Sequence, residues 1–452
     1  MATAQLPLSG SAFVFERSST RLFADSTWAT CHFLSLPPIP LSPRKPPVRS
    51  FRHVGCLLLL ASSLLPSRLH AQIDPYRRDL LQLGYNAAFE GHAPLAAYAF
   101  YYRNQPNFYS TNLTLRLAIA PTYVDSELGI SRILGEHTDL GIGVAGGGFA
   151  DSYAEIRGGQ YMPDESFTGH GGEASVSLYH LFNPGHLIPL NGMLRGSAHY
   201  SVYERDDSTA NTFQIVEDHA TYKVRTGLRW GGKEPTLYPD LAMELSVWYQ
   251  GEFRTENENY GYNDRKLEAD SHLFWGEALI AYTLPELKHN IYLSLTAGTS
   301  VNADRFSAYR LGALLPFSAE YPLSLPGYYY QELSAKNFVL LGGNYILPLD
   351  HRQRWNLTFN TATAYVDYLD GLEQPGNWHT GVGGGVLYRS GTWRVMGGYA
   401  YGFDAMRSDG RGASSVGVLV QLDLGKAKAY MVNPDEPNRW RGFQRMFSIF
   451  GD

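Results

Sequence analysis

The sequence lacks the features that mark several common classes of protein. Only two of its 452 residues are cysteines, Cys31 and Cys56, and both lie in the N-terminal region that we predict to be removed. The mature chain must therefore be stabilised without disulfides. The formal net charge of −6 shows no basic excess, which excludes nucleic acid as a partner.

Long apolar runs are also absent. No stretch after the N-terminal region offers the roughly 18 consecutive apolar residues that a membrane-spanning helix needs. The chain is nevertheless 13% aromatic, with 31 Tyr and 46 Gly, and its mean hydropathy is −0.24. A barrel whose strands alternate lipid-facing and lumen-facing residues has this composition. A large soluble β-sandwich or propeller has it too, so the strand pattern must decide.

The N-terminal region predicts export. Basic side chains are frequent between Arg44 and His53, and about ten mostly apolar residues follow from Cys56 to Leu65. Leu69-His70-Ala71 ends in the small residue that a signal peptidase requires. We predict a signal peptide at residues 44–71 and a mature chain that begins at Gln72. Residues 1–43, rich in Ser, Pro and Thr, are expected to be a non-native or disordered extension.

Strict alternation of apolar and polar side chains recurs along the mature chain. Between Leu241 and Arg254 it continues for about thirteen residues, whereas globular strands usually have 5 to 6. The same alternation is found in residues 113–119, 173–178, 222–230, 291–301 and 416–424. The pattern predicts an all-β fold: a closed antiparallel transmembrane β-barrel of about 14–16 strands over residues 72–424. Its first strand is expected at Leu80–Phe89.

Aromatic residues and connections support the membrane interpretation. Long connections such as Glu204–Asn211, Thr255–Asp270 and Asp404–Gly412 alternate with short ones such as Pro285–His289 and Asp350–Arg354, an arrangement typical of outer-membrane barrels. Many aromatic residues, including Trp230, Trp248, Tyr249, Trp275, Tyr282, Trp355, Tyr388, Trp393 and Tyr399, are expected near strand ends, in the interface girdles. We therefore predict the cell outer membrane as the location, with its lipid and its assembly machinery as partners.

The charged side chains on the polar faces are the candidate functional residues. Those predicted to line the lumen are Arg116, Arg195, Lys223, Arg225, Arg229, Glu244, Glu252, Arg254, Glu277 and Asp423. In a wide barrel, opposed Arg and Glu side chains shape the field across a water-filled pore and tune its ion selectivity. In a closed barrel the same residues would pair and fill the interior. The sequence leaves both alternatives open.

No residue pattern indicates catalysis. His199 and Ser201 alternate with Arg195 on one strand, but this spacing is better explained by lumen-lining polar residues than by a lipase site. Glu136, His137 and Asp139 are better explained by a polar turn than by a metal site. We predict no enzyme activity, no catalytic residues, no metal and no cofactor.

The last segment, residues 425–452, has a pattern of its own. Trp440, Phe443, Phe447 and Phe450 repeat at steps of three and four residues, with arginines between them, as in a cationic amphipathic helix. Three roles stay open: an interfacial helix at the periplasmic rim, a plug in the lumen, and a docking peptide for a periplasmic partner.

Two stretches carry a resemblance to a known family. Residues 309–349 read YRLGALLPFSAEYPLSLPGYYYQELSAKNFVLLGGNYILPL, and residues 381–402 read GVGGGVLYRSGTWRVMGGYAYG. Across residues 309–424 the chain weakly resembles the bacterial surface antigen barrels, the superfamily of outer-membrane insertases and two-partner secretion transporters. The resemblance implies a barrel architecture. The family's Arg-Gly-aromatic loop tip is absent from residues 309–332, and the sequence leaves no room for N-terminal POTRA domains.

These observations favour one function and leave two alternatives. An integral outer-membrane barrel that acts as a pore or transport channel for small solutes accounts best for the inward charges. The first alternative is an assembly or secretion barrel of surface-antigen type, and the second is an outer-membrane enzyme that modifies lipid.

Overall fold

The computed structural model describes residues 76–232, 238–313, 323–408 and 410–427. The predicted signal peptide and almost all of the C-terminal segment lie outside these residues. In the described part, no helix is both long and apolar enough to cross a membrane. The fold is all-β, as predicted.

Twenty strands follow one another along the described residues. They are β1 (Arg78–Ala88), β2 (Ala96–Pro106), β3 (Leu113–Ala120), β4 (Tyr123–Ile130), β5 (Thr138–Gly147), β6 (Tyr153–Arg157), β7 (Gln160–Leu181), β8 (Leu190–Glu204), β9 (His219–Gly232), β10 (Leu241–Arg254), β11 (Asn259–Tyr260), β12 (Arg265–Lys266), β13 (Asp270–Thr283), β14 (Asn290–Val301), β15 (Tyr309–Leu311), β16 (Leu333–Pro348), β17 (Trp355–Tyr368), β18 (Trp378–Arg389), β19 (Trp393–Arg407) and β20 (Gly410–Asp423).

Sixteen of these strands form a closed antiparallel barrel. Each pairs with its neighbours in the chain, and β1 closes the ring by pairing with β20 from Leu80↔Asp423 to Ala88↔Ser415. The other four lie outside the ring: β6 pairs with the start of β7, β15 pairs with the start of β16, and β11 pairs with β12. The strand number agrees with the prediction, and the predicted first strand corresponds to β1.

The strands alternate because one face meets lipid and the other meets the barrel interior. In β10, Leu245 and Val247 are 53% and 57% exposed, whereas Glu244 and Ser246 are 5% and 2% exposed. This distribution, with apolar side chains exposed outside and polar ones buried inside, is the inverse of that in a soluble protein. It is expected of a membrane barrel.

Two aromatic predictions are wrong. Trp248 and Trp275 do not belong to an interface girdle: they are 5% and 4% exposed and stack inside the barrel with their ring centroids 6.3 Å apart. Their position in the middle of the paired region, with Trp248↔Trp275 in register, explains the difference. Strand period fixes the face of a residue but not its height in the barrel.

Most connections at one end of the barrel are longer than those at the other. We call this the loop end, and it corresponds to the outer surface in outer-membrane barrels. Its connections are loop 1 (residues 89–95), loop 2 (121–122), loop 3 (148–167, including β6 and the first residues of β7), loop 4 (205–218), loop 5 (255–269, including β11 and β12), loop 6 (the described residues 302–313 and 323–332, including β15), loop 7 (369–377) and the short connection between β19 and β20. The long connection predicted at Asp404–Gly412 is wrong, because β19 continues to Arg407 and β20 begins at Gly410.

Candidate functional site

Loop 6 folds into the barrel instead of away from it. A Cβ atom on Gly381 would lie 2.0 Å from the carbonyl oxygen of Pro326, and one on Gly327 would lie 1.9 Å from the backbone nitrogen of Gly402. Gly381 and Gly402 lie on the inner face of β18 and β19, since their neighbours Val382 and Phe403 are exposed on the outside. Glycine at these positions lets the loop backbone reach the inner wall directly.

Apolar side chains extend this contact. Loop 6 contributes Tyr309, Leu311, Leu325 and Tyr328 to the largest described cluster of buried residues, and each of them is 0% exposed. The rest of that cluster comes from β10, β13, β16, β17, β19 and β20, including Trp248 and Trp275, and from Leu323 of loop 6. Loop 6 thus occupies the interior beside these strands. Burial of this much apolar surface holds it there.

A buried ion pair fixes the end of loop 6. Arg407 at the end of β19 donates from Nη1 to Glu332 Oε1 at 2.8 Å and from Nη2 to Oε2 at 3.0 Å. Both side chains are almost fully buried, and the guanidinium carbon of Arg407 lies 3.7 Å from the ring centroid of Tyr329. Bidentate pairs of this kind combine strength with a fixed geometry. We call Glu332 and Arg407 the latch.

Neighbouring groups connect the latch to other elements. The Tyr329 hydroxyl donates to the carbonyl oxygen of Glu90 in loop 1 at 2.8 Å, and the backbone nitrogen of Tyr329 donates to Glu332 Oε2 at 2.7 Å. The Tyr328 hydroxyl is 3.1 Å from His379 Nδ1, and Tyr368 bonds the other ring nitrogen. Loop 6 is therefore held by loop 1, β17, β18 and β19 together.

A second buried charge cluster closes the loop end. Arg265 in loop 5 bonds Glu165 in loop 3 and lies 3.5 Å from Glu155 Oε1. Arg157 reaches Glu165 at 2.6 Å, and Arg305 of loop 6 reaches Glu155 at 3.2 Å. We call these five residues the cap cluster. Three loops meet in it, and the guanidinium of Arg265 also lies 4.8 Å from the ring centroid of Phe213 in loop 4.

Aromatic side chains surround the cap cluster. They are Tyr153, Phe167, Tyr203, Phe213, Tyr260 and Phe306, and all except Phe306 are less than a tenth exposed. The Tyr153 hydroxyl bonds Glu155, which gives the carboxylate a further partner. Such partners are needed because a charge removed from water is costly unless it is paired and hydrogen-bonded.

Asp304 joins loop 6 to the wall of the barrel. Its carboxylate accepts from Arg254 at 2.5 Å, from the backbone nitrogen of Glu268 at 3.0 Å and from the Ser307 hydroxyl at 2.8 Å. Burial by itself would raise the pKa of Asp304, but the charge of Arg254 and these hydrogen bonds outweigh it and hold the pKa below its usual value.

This lowered pKa predicts an acid-sensitive contact. A carboxylate with a depressed folded-state pKa stabilises the fold above its unfolded pKa of about 3.9, and this contribution is lost as the pH falls through the lower folded value. We expect the near-ultraviolet circular dichroism of the aromatic cap residues to persist at pH 4 and to weaken below it. Asp304→Asn should weaken that signal at neutral pH, whereas Asp207→Asn, at an exposed residue, should behave as the wild type. Identical curves for both variants would contradict the assignment.

The predicted lumen residues lie on the inner wall in charge pairs. Arg116 bonds Glu127, Arg195 bonds Glu173 at 2.8 Å, and Arg229 bonds Glu244 at 3.0 Å. Further pairs are Lys223 with Glu252 at 3.9 Å, Arg254 with Glu252 at 3.3 Å, and Asp423 with Lys426 at 3.1 Å. Charges of opposite sign compensate one another across adjacent strands or, for Arg254 with Glu252 and Asp423 with Lys426, within one chain segment, so these residues form pairs and not opposed rings.

Two of the predicted residues have other surroundings. The guanidinium carbon of Arg225 lies 4.8 Å from the ring centroid of Trp248 and 5.1 Å from that of Trp275, so the two rings attract the cation through their π faces. Glu277 is 7% exposed and lies opposite Ser246 in the register of β10 and β13.

The weak candidates for catalysis and metal binding lie in β8, in β5 and in the turn before β5. His199 Nε2 lies 2.7 Å from Asp151 Oδ2, and Nδ1 lies 3.8 Å from Glu173 Oε2. Both ring nitrogens thus face carboxylates and not the Ser201 hydroxyl, whereas a lipase-type nucleophile must bond to the histidine. Asp139 accepts from the backbone nitrogen of Arg132 at 3.1 Å. Within the described residues no three His, Cys, Asp or Glu side chains form a group able to hold a metal ion.

Sequence reasoning missed the latch and the cap cluster. Both unite residues far apart in the chain: Glu332 and Arg407 are 75 residues apart, and Arg265 and Glu165 are 100 apart. Loop residues have no period that would assign them to a face. The available signal was an acidic residue, Glu332, two positions after the aromatic run Tyr328-Tyr329-Tyr330.

No protein-family model matches the chain, and no curated protein matches it. Its fold is similar to solved structures of bacterial outer-membrane proteins. CdiB from Acinetobacter baumannii is 11% identical, with a TM-score of 0.52 over 77% of this chain and 60% of that chain. CdiB from Escherichia coli is 12% identical, with a TM-score of 0.50 over 76% and 63%. BamA from Haemophilus ducreyi lacking POTRA domains 1-3 is 10% identical, with a TM-score of 0.48 over 76% and 70%.

The likeness concerns the fold alone. This chain spans about 60% of the length of the two CdiB chains it matches. The weak resemblance to surface antigen barrels predicted from the sequence is confirmed at that level. The chain has the fold of an outer-membrane-type β-barrel.

Proposed function

We propose that this protein is a transport channel of the outer membrane for small solutes, and that the structure represents its closed state. The inward position of loop 6 carries the proposal, because a loop that occupies the interior blocks a passage that the sixteen-stranded wall would otherwise leave. The cap cluster closes the loop end above it. No step of this function requires catalysis, a metal or a cofactor.

The mode of closure supports a movable barrier. Loop 6 contacts the wall through apolar packing against β16 and β17 and through buried ion pairs, namely the latch to β19 and Asp304 with Arg254 of β10. A permanently filled barrel needs no such buried ion pair, since apolar side chains of similar volume stabilise an interior as well or better. The charged pairs around Arg195 and Lys223 would then border the passage that forms when loop 6 leaves.

Single-channel conductance tests the proposal. The mature protein, residues 72–452, is refolded and inserted into a planar bilayer, where we expect long closed periods with brief discrete openings. Arg225→Glu with Arg229→Glu should shift the selectivity of the open state towards cations, because both residues lie on the inner wall. Arg352→Glu with Arg354→Glu makes the same change of charge at an exposed turn and should leave selectivity unchanged. A folded barrel that stays silent at every voltage, even after the latch is removed, would contradict the proposal.

An assembly or secretion barrel of surface-antigen type is the second candidate. The fold likeness to CdiB supports it. Such a role would require a periplasmic partner, for which the 425–452 segment is the proposed docking peptide. Cross-linking of the full chain in cells, followed by recovery of a protein with POTRA domains, would favour this candidate over the channel. Removal of residues 425–452 should then abolish the cross-link.

A further inference from the structure

The connection between β9 and β10 contacts a distant part of the wall. It lies at the end of the barrel opposite to the loop end, which we call the turn end. Tyr238, Pro239 and Asp240 are its described residues, and they lead directly into β10. Arg389 on β18 donates from Nη1 to Asp240 Oδ1 and from Nη2 to the carbonyl oxygen of Tyr238, both at 3.3 Å. We call residues 238–240 the cross segment.

The contact with Arg389 crosses the opening of the barrel. Along the wall, β13, β14, β16 and β17 lie between β10 and β18, so the two strands are five steps apart. At about 4.8 Å between neighbouring strands, the wall between them measures roughly 24 Å. A contact at 3.3 Å between the cross segment and Arg389 therefore joins the two strands through the interior and not along the wall.

Further contacts hold the cross segment in this position. Asn290 at the start of β14 donates from Nδ2 to the carbonyl oxygen of Pro239 at 3.2 Å, and the Thr283 hydroxyl donates to the carbonyl oxygen of Asp240 at 3.0 Å. Tyr238 itself has a φ of 50°, a left-handed conformation that is an outlier for a bulky residue. Such a conformation persists only where the surrounding structure determines it, and it is frequent at functional sites.

The side chain of Tyr238 packs against the inner wall. It is 8% exposed and belongs to a cluster of buried apolar residues. The other members are no more than 2% exposed and come from β16, β18, β19 and β20: Ile346, Leu387, Met396, Ala400 and Leu419. Since an inner wall beside open water would expose such side chains, their burial places the Tyr238 ring over a part of the opening.

We propose that Tyr238 forms a constriction at the turn end and sets the size limit for solutes that pass through the barrel. The size limit rests on the channel function proposed above, whereas the constriction does not. Loop 6 belongs to a different cluster, which contains Trp248 and Trp275 and excludes Tyr238. Release of loop 6 therefore leaves the constriction in place, and the passage then admits ions but excludes larger solutes.

Cysteine labelling tests the constriction without any need for conduction. Residues 72–452 contain no cysteine, so Met396→Cys is a single reporter in the cluster around Tyr238. In nanodiscs it should react slowly with a small cationic methanethiosulfonate reagent, followed by intact-protein mass spectrometry. Tyr238→Ala should raise the rate roughly tenfold or more, because removal of a buried ring leaves a cavity beside the reporter. Tyr238→Phe keeps the ring and should keep the slow rate.

Two controls locate the effect. Tyr109→Ala removes a tyrosine that is 98% exposed in another connection of the turn end, and it should leave the labelling of Met396→Cys unchanged. Ala405→Cys reports on the cluster of loop 6 and should not respond to Tyr238→Ala. Equal rates in Tyr238→Ala and Tyr109→Ala, or rapid labelling of Met396→Cys with Tyr238 intact, would overturn the constriction. Heat-modifiable migration shows that each variant is folded.

Polymer exclusion tests the size limit. Single channels of the Arg407→Ala variant are recorded with polyethylene glycols of increasing size, because polymers that enter a passage lower its conductance. Addition of Tyr238→Ala should admit larger polymers than addition of Tyr109→Ala. The same cut-off in both would overturn the size limit. A silent barrel in every variant would contradict the channel function, and with it the size limit, while the labelling result decides the constriction separately.

Discussion

Replacing Arg407 by Ala is expected to turn a mostly closed barrel into one that conducts for long periods. The substitution leaves Glu332, which is 2% exposed, as a buried carboxylate without its bidentate partner. Breaking a buried pair by removing one partner typically costs about 3–5 kcal/mol. This cost destabilises the docked position of loop 6 relative to the released one, because Glu332 reaches water when the loop is released. Planar-bilayer recordings of the open fraction measure the effect.

Two further variants separate gating from damage to the fold. Glu332→Leu combined with Arg407→Met replaces the charges by apolar side chains of similar size, and we expect this pair to restore the closed state because no buried charge is left unpaired. Arg411→Ala removes a nearby arginine that donates to the carbonyl oxygen of Pro375 from an exposed position, and it should keep the wild-type open fraction. A closed Arg407→Ala barrel would show that apolar packing alone fixes loop 6.

The wall of the barrel could be predicted from the sequence because apolar and polar side chains alternate regularly along its strands. Along each strand, the side chains point alternately to the two faces, with a period of two residues. One face meets lipid and the other meets the charged interior, so the two faces differ in polarity. The sequence alone therefore assigns Leu245 to the outer face and Glu244 to the inner one. Height along the strand has no such period, which is why Trp248 and Trp275 were assigned to the interface although they stack beneath Arg225.

The loops could not be predicted in the same way. Loop 6 is as rich in aromatic residues as an interface girdle, and Tyr328 and Tyr329 alone do not reveal that they fold inward. The inward position of these residues depends on Gly381 and Gly402. Neither glycine has a side chain, so the backbone of Pro326 and Gly327 can contact the inner wall there. Contacts of this kind join residues more than 50 positions apart, and one sequence contains no record of such pairings.

The cap cluster should be as sensitive to charge removal as the latch. Arg265 is 1% exposed and is shared by Glu155 and Glu165. Arg265→Met removes the shared cation, and Arg157 and Arg305 compensate only partly because each reaches one of the two carboxylates. We expect the loop end to lose about 3 kcal/mol of stability, seen as a loss of near-ultraviolet circular dichroism at lower temperature than in the wild type.

The neighbouring residue provides the matched control. Lys266 is also a cation of β12, but its side chain is 61% exposed and its contact with Glu268 lies at the surface. Surface pairs contribute at most about 1 kcal/mol, so Lys266→Met should barely change the melting of the cap. Glu165→Gln added to Arg265→Met should recover part of the loss, since it removes a carboxylate that no longer has its partner. If Arg265→Met and Lys266→Met melt alike, the aromatic cluster and not the charges holds the four loops together.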